Sequence, residues 1–125
     1  MKKKVSLIIV LMITLALLTS CTGGSYVITI GKIKGNSKSL TGSYNSFSGK
    51  YYSRVKLEAG DIIEYKASCN TDSGSLQLVL LDKDKNVIAN LLEAEDIEIN
   101  NTGYYYFTAL GEDHKGDFSI QWKAN

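Results

Sequence analysis

Asp117-Phe118-Ser119-Ile120-Gln121-Trp122-Lys123 alternates without a break. Phe118, Ile120 and Trp122 fall on one face, and Asp117, Ser119, Gln121 and Lys123 on the other. That period of two is what an extended strand imposes when one of its faces is buried. The segment before it, Gly111 to Gly116, reads as a hairpin turn, and Tyr104 to Leu110 is a run of aromatic and β-favouring residues that reads as the partner strand. If Tyr105 and Phe107 face the core, then Tyr104 and Tyr106 face outward with Thr108 beside them.

The same period runs back along the chain. Tyr26, Ile28 and Ile30 alternate with Val27, Thr29 and Gly31. Asn36 to Ser48 is a weak strand and loop with Leu40, Tyr44 and Phe47 as anchors. Lys50 to Leu57 sets Tyr51, Val55 and Leu57 against Tyr52, Arg54 and Lys56. Glu58-Ala59-Gly60-Asp61 is a turn, Ile62 to Cys69 a strand, and Asn70 to Gly74 a further turn signal. Leu76, Leu78 and Leu80 alternate with Gln77, Val79 and Leu81, a strand covered on both faces. Asp82 to Asn86 turns into Val87 to Leu92. Ile97 and Ile99 hold the alternation through an acidic stretch, and Asn100 to Gly103 turns again. No segment carries a 3.6-residue apolar stripe. Residues 26–125 therefore read as one all-β domain: an antiparallel β-sandwich, jelly-roll-like, of about eight or nine short strands with turns every 8 to 12 residues.

The first 25 residues are of another kind. Lys2, Lys3 and Lys4 precede an apolar run from Val5 to Leu18 and then small residues, the layout of a secretory signal peptide. The run falls short of the about 20 apolar residues that span a bilayer. Leu18-Thr19-Ser20-Cys21 resembles the lipobox of bacterial lipoproteins. The resemblance implies that residues 1–20 are a leader, and that Cys21 takes a diacylglycerol on its sulfur and becomes the first mature residue. It also implies an outward-facing, lipid-anchored protein of the cell membrane. Thr22 stands where lipoproteins retained at the inner membrane of two-membrane bacteria carry aspartate, so an outer-membrane site is compatible. Residues 21–25 read as a short flexible tether. The four residues after Cys21 reach only about 14 Å at about 3.4 Å each, which holds the domain close to the bilayer.

Removing residues 1–20 leaves 105 residues, enough for one core. Three of the 14 basic residues go with the leader and none of the 13 acidic ones, so the remaining chain is net −2. No basic patch is evident and nucleic acid is not expected as a partner. With Cys21 lipidated, Cys69 has no partner for a disulfide. Its alternation with Ile63, Tyr65 and Ala67 makes it a core thiol, and an apolar setting keeps such a thiol inert.

Leu57-Glu58-Ala59-Gly60-Asp61, Gly103-Tyr104-Tyr105-Tyr106-Phe107 and Gly116-Asp117-Phe118-Ser119-Ile120 follow one another in an order that resembles bacterial pre-peptidase C-terminal domains. GOLD-type sandwiches share the rhythm. The resemblance covers Lys50 to Trp122 and implies a non-catalytic accessory module that binds substrate or partners, in some members with calcium. Gly74-Ser75-Leu76-Gln77-Leu78 lacks the acidic residue that commonly precedes the family's core strand.

Catalytic signatures are absent from the sequence: no phosphate loop, nucleophile elbow, histidine pair or zinc spacing. No enzyme and no cofactor is expected. Asp82, Asp84 and Asn86 occupy positions 1, 3 and 5 of an EF-hand-like spacing with Glu93 at 12, a weak calcium candidate. Position 6 is Val87 where that loop needs glycine, and a charged hairpin turn accounts for the same residues. The acidic run Glu93, Glu95, Asp96 and Glu98 reads as a solvated edge that discourages aggregation. His114, between Glu112–Asp113 and Gly116, reads as lying at a hairpin tip. The sharper signal is aromatic: Tyr52, Tyr104 and Tyr106 project outward, where tyrosines stack on sugar rings or anchor a protein, unless they only cover their cross-strand neighbours. The expected role is a surface binding module for an envelope glycan or other extracellular ligand. The alternatives are an accessory or scaffold subunit, or a small inhibitor or immunity-type lipoprotein, docking on a neighbouring membrane protein.

Overall fold

The computed structural model describes residues 22–93 and 96–124. The expected leader, Cys21 and Glu95 lie outside the described residues. What is described is all-β and antiparallel, with no helix. Seven strands form one hydrogen-bonded sheet: β1 Thr22–Gly23, β2 Tyr26–Gly35, β3 Ser39–Leu57, β4 Ile62–Leu81, β5 Val87–Asn90, β6 Ile97–Glu98 and β7 Gly103–Ala124. The order is β1-β3-β7-β4-β5, with β2 also on the free edge of β3 and β6 on that of β4.

Three strands carry the architecture. β3, β4 and β7 run for 19, 20 and 22 residues, where straight strands would reach about 65 Å. They do not run straight. Leu57, at the end of β3, pairs with Gly103 at the start of β7, whereas Ile63, at the start of β4, pairs with Ala124 at its end. Yet Leu57 and Ile62 are joined only by the turn Glu58–Asp61. That turn is closed by Asp61 N–H to the Glu58 carbonyl at 3.0 Å and Glu58 N–H to the Asp61 carboxylate at 2.9 Å. So short a link can join opposite ends of β7 only if β7 doubles back on itself. It does: Phe107 and Trp122 stack with ring centroids 3.9 Å apart.

The bends lie where the ladder loses register. β3 slips against β7 between Tyr44, Phe47 and Gly49, and β4 slips between Thr71, Ser73 and Ser75. Bulges add twist and let a sheet turn a corner. Gly74 (φ 75°) and Gly116 (φ 148°) take backbone conformations closed to most side chains, and a Cβ would fall on the Asp113 and Asn70 carbonyl oxygens respectively. Asp113 takes φ 45° without being glycine. Ser48 holds it there, accepting from its N–H at 3.0 Å and donating to its carboxylate at 3.1 Å.

The expected eight or nine short strands are thus seven among the described residues, because Asn70–Gly74 and Gly111–Gly116 bend strands instead of ending them. The all-β antiparallel class is as expected, and the described strands join in one sheet folded across its middle. Leu40, Tyr44, Phe47, Ile63, Leu78, Leu80, Phe107, Ala109, Phe118, Ile120 and Trp122 fill the space between its halves. Val79 is also buried, as a strand covered on both faces requires. Ile30 departs from the expected alternation: at φ 43° it turns out to solvent, and Ile28 and Ile33 supply the packing instead. The tether differs as well. Thr22 and Gly23 pair with Ser53 and Tyr52, and the Ser25 carbonyl accepts from Lys50 N–H at 3.0 Å, so this stretch lies along the sheet edge.

Candidate functional site

The outer face of the half-sheet built from residues 50–57, 75–81 and 103–111 carries the three tyrosines. Because Phe107 and Tyr105 point into the core, Tyr104, Tyr106 and Thr108 lie on the other side of the strand, where Tyr104 is exposed and Thr108 is covered. The register sets Tyr52 opposite Thr108 and Arg54 opposite Tyr106. Tyr52 and Tyr106 meet edge to face, centroids 5.0 Å apart at 81°. Tyr104 is 47% exposed and carries the Arg54 guanidinium 4.7 Å from its ring centroid.

A residue with no sequence signal completes the group. Lys85, at φ 67° in the turn before β5, places Nζ 3.2 Å from the Tyr106 centroid and 5.1 Å from that of Tyr52. A cation over a tyrosine face is attracted by the ring quadrupole, by about 0.5–1 kcal/mol at exposed sites. Asp82 builds the turn that delivers it. One carboxylate oxygen accepts from the N–H groups of Asp84 and Asn86, both at 2.9 Å, and these bonds hold the carboxyl below the usual carboxylate range. The residues read as calcium positions 1, 3 and 5 therefore bond to one another within the turn. Among the described residues no group of three or more His, Cys, Asp or Glu is arranged to hold a metal.

Tyr104 stands between two clefts. One, of about 550 Å³, is lined by Asp82, Lys83, Asp84, Glu98, Asn101 and Tyr105 among others. The second, of about 740 Å³, is lined by Lys38, Arg54, Lys56 and Lys123 around Val55, Leu57, Tyr104 and Trp122. Trp122 is held in its wall by Nε1–H to the Ser37 carbonyl at 2.9 Å.

His114 is not at an exposed tip. It is fully buried at the bend of β7, opposite Phe47, with Nδ1 2.7 Å from the Tyr44 hydroxyl and Nε2 2.8 Å from the Thr71 hydroxyl. Burial holds its imidazole below the ordinary value, against the opposing pull of Asp117, the Asn70 carbonyl and Asp72. Burial likewise pushes the Tyr44 phenol up, with smaller contributions from Cys69 and Asp117. Cys69 is half-buried against the core and forms no disulfide among the described residues. Glu93, Asp96 and Glu98 are exposed, beside or on the edge strand β6.

No family model matches the chain, and no curated protein sequence matches it. A solved structure with a similar course of chain is the enzymatically active domain of tailspike protein 4 of bacteriophage CBA120. It is 10% identical with a TM-score of 0.49, over 85% of this chain and 20% of that one. This chain thus spans about a fifth of the tailspike domain's length.

Proposed function

We propose that the chain is a lipid-anchored, outward-facing binding module of a bacterial cell envelope, and that its ligand is an envelope glycan engaged around Tyr104. The observation that carries this reading is the position of Tyr104: an outward, half-exposed ring on the wall between two clefts. Tyr52 and Tyr106 are half-buried and perpendicular to each other, each carrying a phenol hydroxyl, and Tyr104 is half-exposed with the Arg54 guanidinium over one face of its ring. A sugar ring stacked at Tyr104 would find these polar groups beside it. Lipidation at Cys21, as the lipobox resemblance implies, would anchor the chain next to Thr22, which pairs with Ser53 at the sheet edge. A non-catalytic role is supported by the single histidine, buried with both ring nitrogens at hydroxyls. It also accords with the accessory role that the resemblance to pre-peptidase C-terminal domains implies.

The test is binding of solubilised envelope glycans to the protein in non-ionic detergent, with Tyr104→Ala beside the parent. Loss of at least about thirtyfold in affinity, the scale of a binding hot spot, is expected. Equal affinity in the variant, or no glycan bound, overturns the reading.

A second reading has its own observation. β2 is a ten-residue edge strand paired only through β3, and Val27 and Ile30 on it are 70% and 81% exposed. Such an edge can accept a strand from a neighbouring protein, which suits an accessory subunit. A photo-crosslinker at Val27 that captures one defined membrane protein in cells favours this reading; crosslinks at Tyr104 alone oppose it.

A further inference from the structure

The cleft beside Tyr104 has a sign of its own. Although the chain after residue 20 is net −2, four cations, Lys38, Arg54, Lys56 and Lys123, converge on this one cleft. No carboxylate is among its described lining residues. They arrive from three places: the loop between β2 and β3, the end of β3 and the end of β7. Only the doubling of the sheet brings the two strand ends together. Lys123 has Glu64 opposite it on β4 and the Arg54 guanidinium lies over the Tyr104 ring, so the positive excess centres on Lys38 and Lys56 with Lys123 at its margin. An anion between like charges lowers their mutual repulsion. The remaining wall is aromatic and apolar, with Tyr104, Trp122, Val55 and Leu57. The opposite cleft carries Asp82, Asp84 and Glu98, so an anionic ligand would be steered to one side of Tyr104 only.

We infer that this cleft binds a saccharide unit bearing an anionic oxygen group, a phosphodiester or a carboxylate, the charge held by Lys38, Lys56 and Lys123 and the ring set against Tyr104 and Trp122. The inference rests on the glycan-binding reading and narrows it to anionic glycans.

Trp122 is the only tryptophan in the chain, so its fluorescence reports on this cleft. The protein in non-ionic detergent is titrated with poly(ribitol phosphate), with polygalacturonate, with a neutral glucan oligosaccharide, and with vesicles of phosphatidylglycerol or phosphatidylcholine. The expected result is a saturable change in Trp122 emission with one or both anionic glycans. Affinity should fall at least about tenfold in Lys56→Glu/Lys123→Glu, a loss typical of unpaired charge contacts, and weaken as salt rises. Lys32→Glu/Lys115→Glu makes the same charge change away from the cleft and should leave affinity within twofold; an equal loss there means nonspecific attraction and overturns the inference. Equal affinity for the neutral glucan also overturns it, as does a response to phosphatidylglycerol vesicles and to no glycan. If neutral glycans bind in a Tyr104-dependent way while Trp122 never responds, this inference fails and the glycan reading survives. If no glycan binds, both fail.

Discussion

Phe107 and Trp122 lie fifteen residues apart on one strand, yet their rings stack with centroids 3.9 Å apart and planes within 5°. A straight strand would separate them by about 50 Å. The contact therefore records the doubling of the whole sheet, and both the core and the cleft beside Trp122 depend on it.

Truncating either ring should remove the contact that joins the two halves. Phe107 is fully buried, and Phe107→Ala is expected to cost about 3–5 kcal/mol, whereas Phe107→Leu keeps most of the volume and should cost less. Urea unfolding followed by far-ultraviolet circular dichroism measures both. Equal stability of Phe107→Ala and the parent would mean that the halves are held together elsewhere.

The bend makes a separate prediction. Gly116 combines φ 148° with a Cβ position filled by the Asn70 carbonyl, so Gly116→Ala strains two strands at once. The expected loss is about 1–3 kcal/mol from backbone strain, with further loss where β4 is displaced. Gly103→Ala, at a position where a Cβ meets nothing within 4 Å, is the control and should change stability little.

Stability should also depend on pH through His114. Its folded pKa lies below the ordinary 6.5, so between those two values the unfolded chain binds the proton more readily than the folded one. The contribution is therefore complete above about pH 6.5 and is lost as pH falls toward the depressed folded value. Urea midpoints measured from pH 8 down to pH 5 should show this decline, and His114→Gln should flatten it. A decline equally steep in His114→Gln assigns it to other groups.

Lys85 should act on the tyrosine pair. Lys85→Ala removes the cation over Tyr106 and is expected to cost about 0.5–1 kcal/mol in a Tyr106-dependent way, which a double-mutant cycle with Tyr106→Leu resolves. No coupling in that cycle would reduce the contact to a coincidence of position.

Much of this could be read from the chain itself, for reasons that differ by segment. Alternation in Asp117–Lys123, Lys50–Leu57 and Leu76–Leu81 reports burial directly, so Phe118, Ile120, Trp122, Tyr51, Leu57, Leu78 and Val79 sit as the period requires. Asn70–Gly74 and Gly111–Gly116 were legible as breaks in the alternation, but a glycine marks a conformation and not a direction of travel. The same signal serves a hairpin and a bulged corner, which is why two bends read as turns. His114 had a polar neighbourhood in sequence, and its burial against Tyr44 and Thr71 arises only when the corner of β7 meets those of β3 and β4. Tyr52, Tyr104 and Tyr106 were readable as outward from parity alone. The place of Lys85 over Tyr106, and the convergence of Lys38, Lys56 and Lys123, depend on tertiary folding that no local period encodes.

The most direct test of the binding account is an NMR titration of the protein in non-ionic detergent with solubilised envelope glycans, followed at the tyrosine ring and the valine and isoleucine methyl signals. The account predicts saturable shifts largest at Tyr104, smaller at Tyr52 and Tyr106, and absent at the buried Tyr44. Spectra unmoved by every glycan, or shifts centred on Val27 and Ile30, would contradict it.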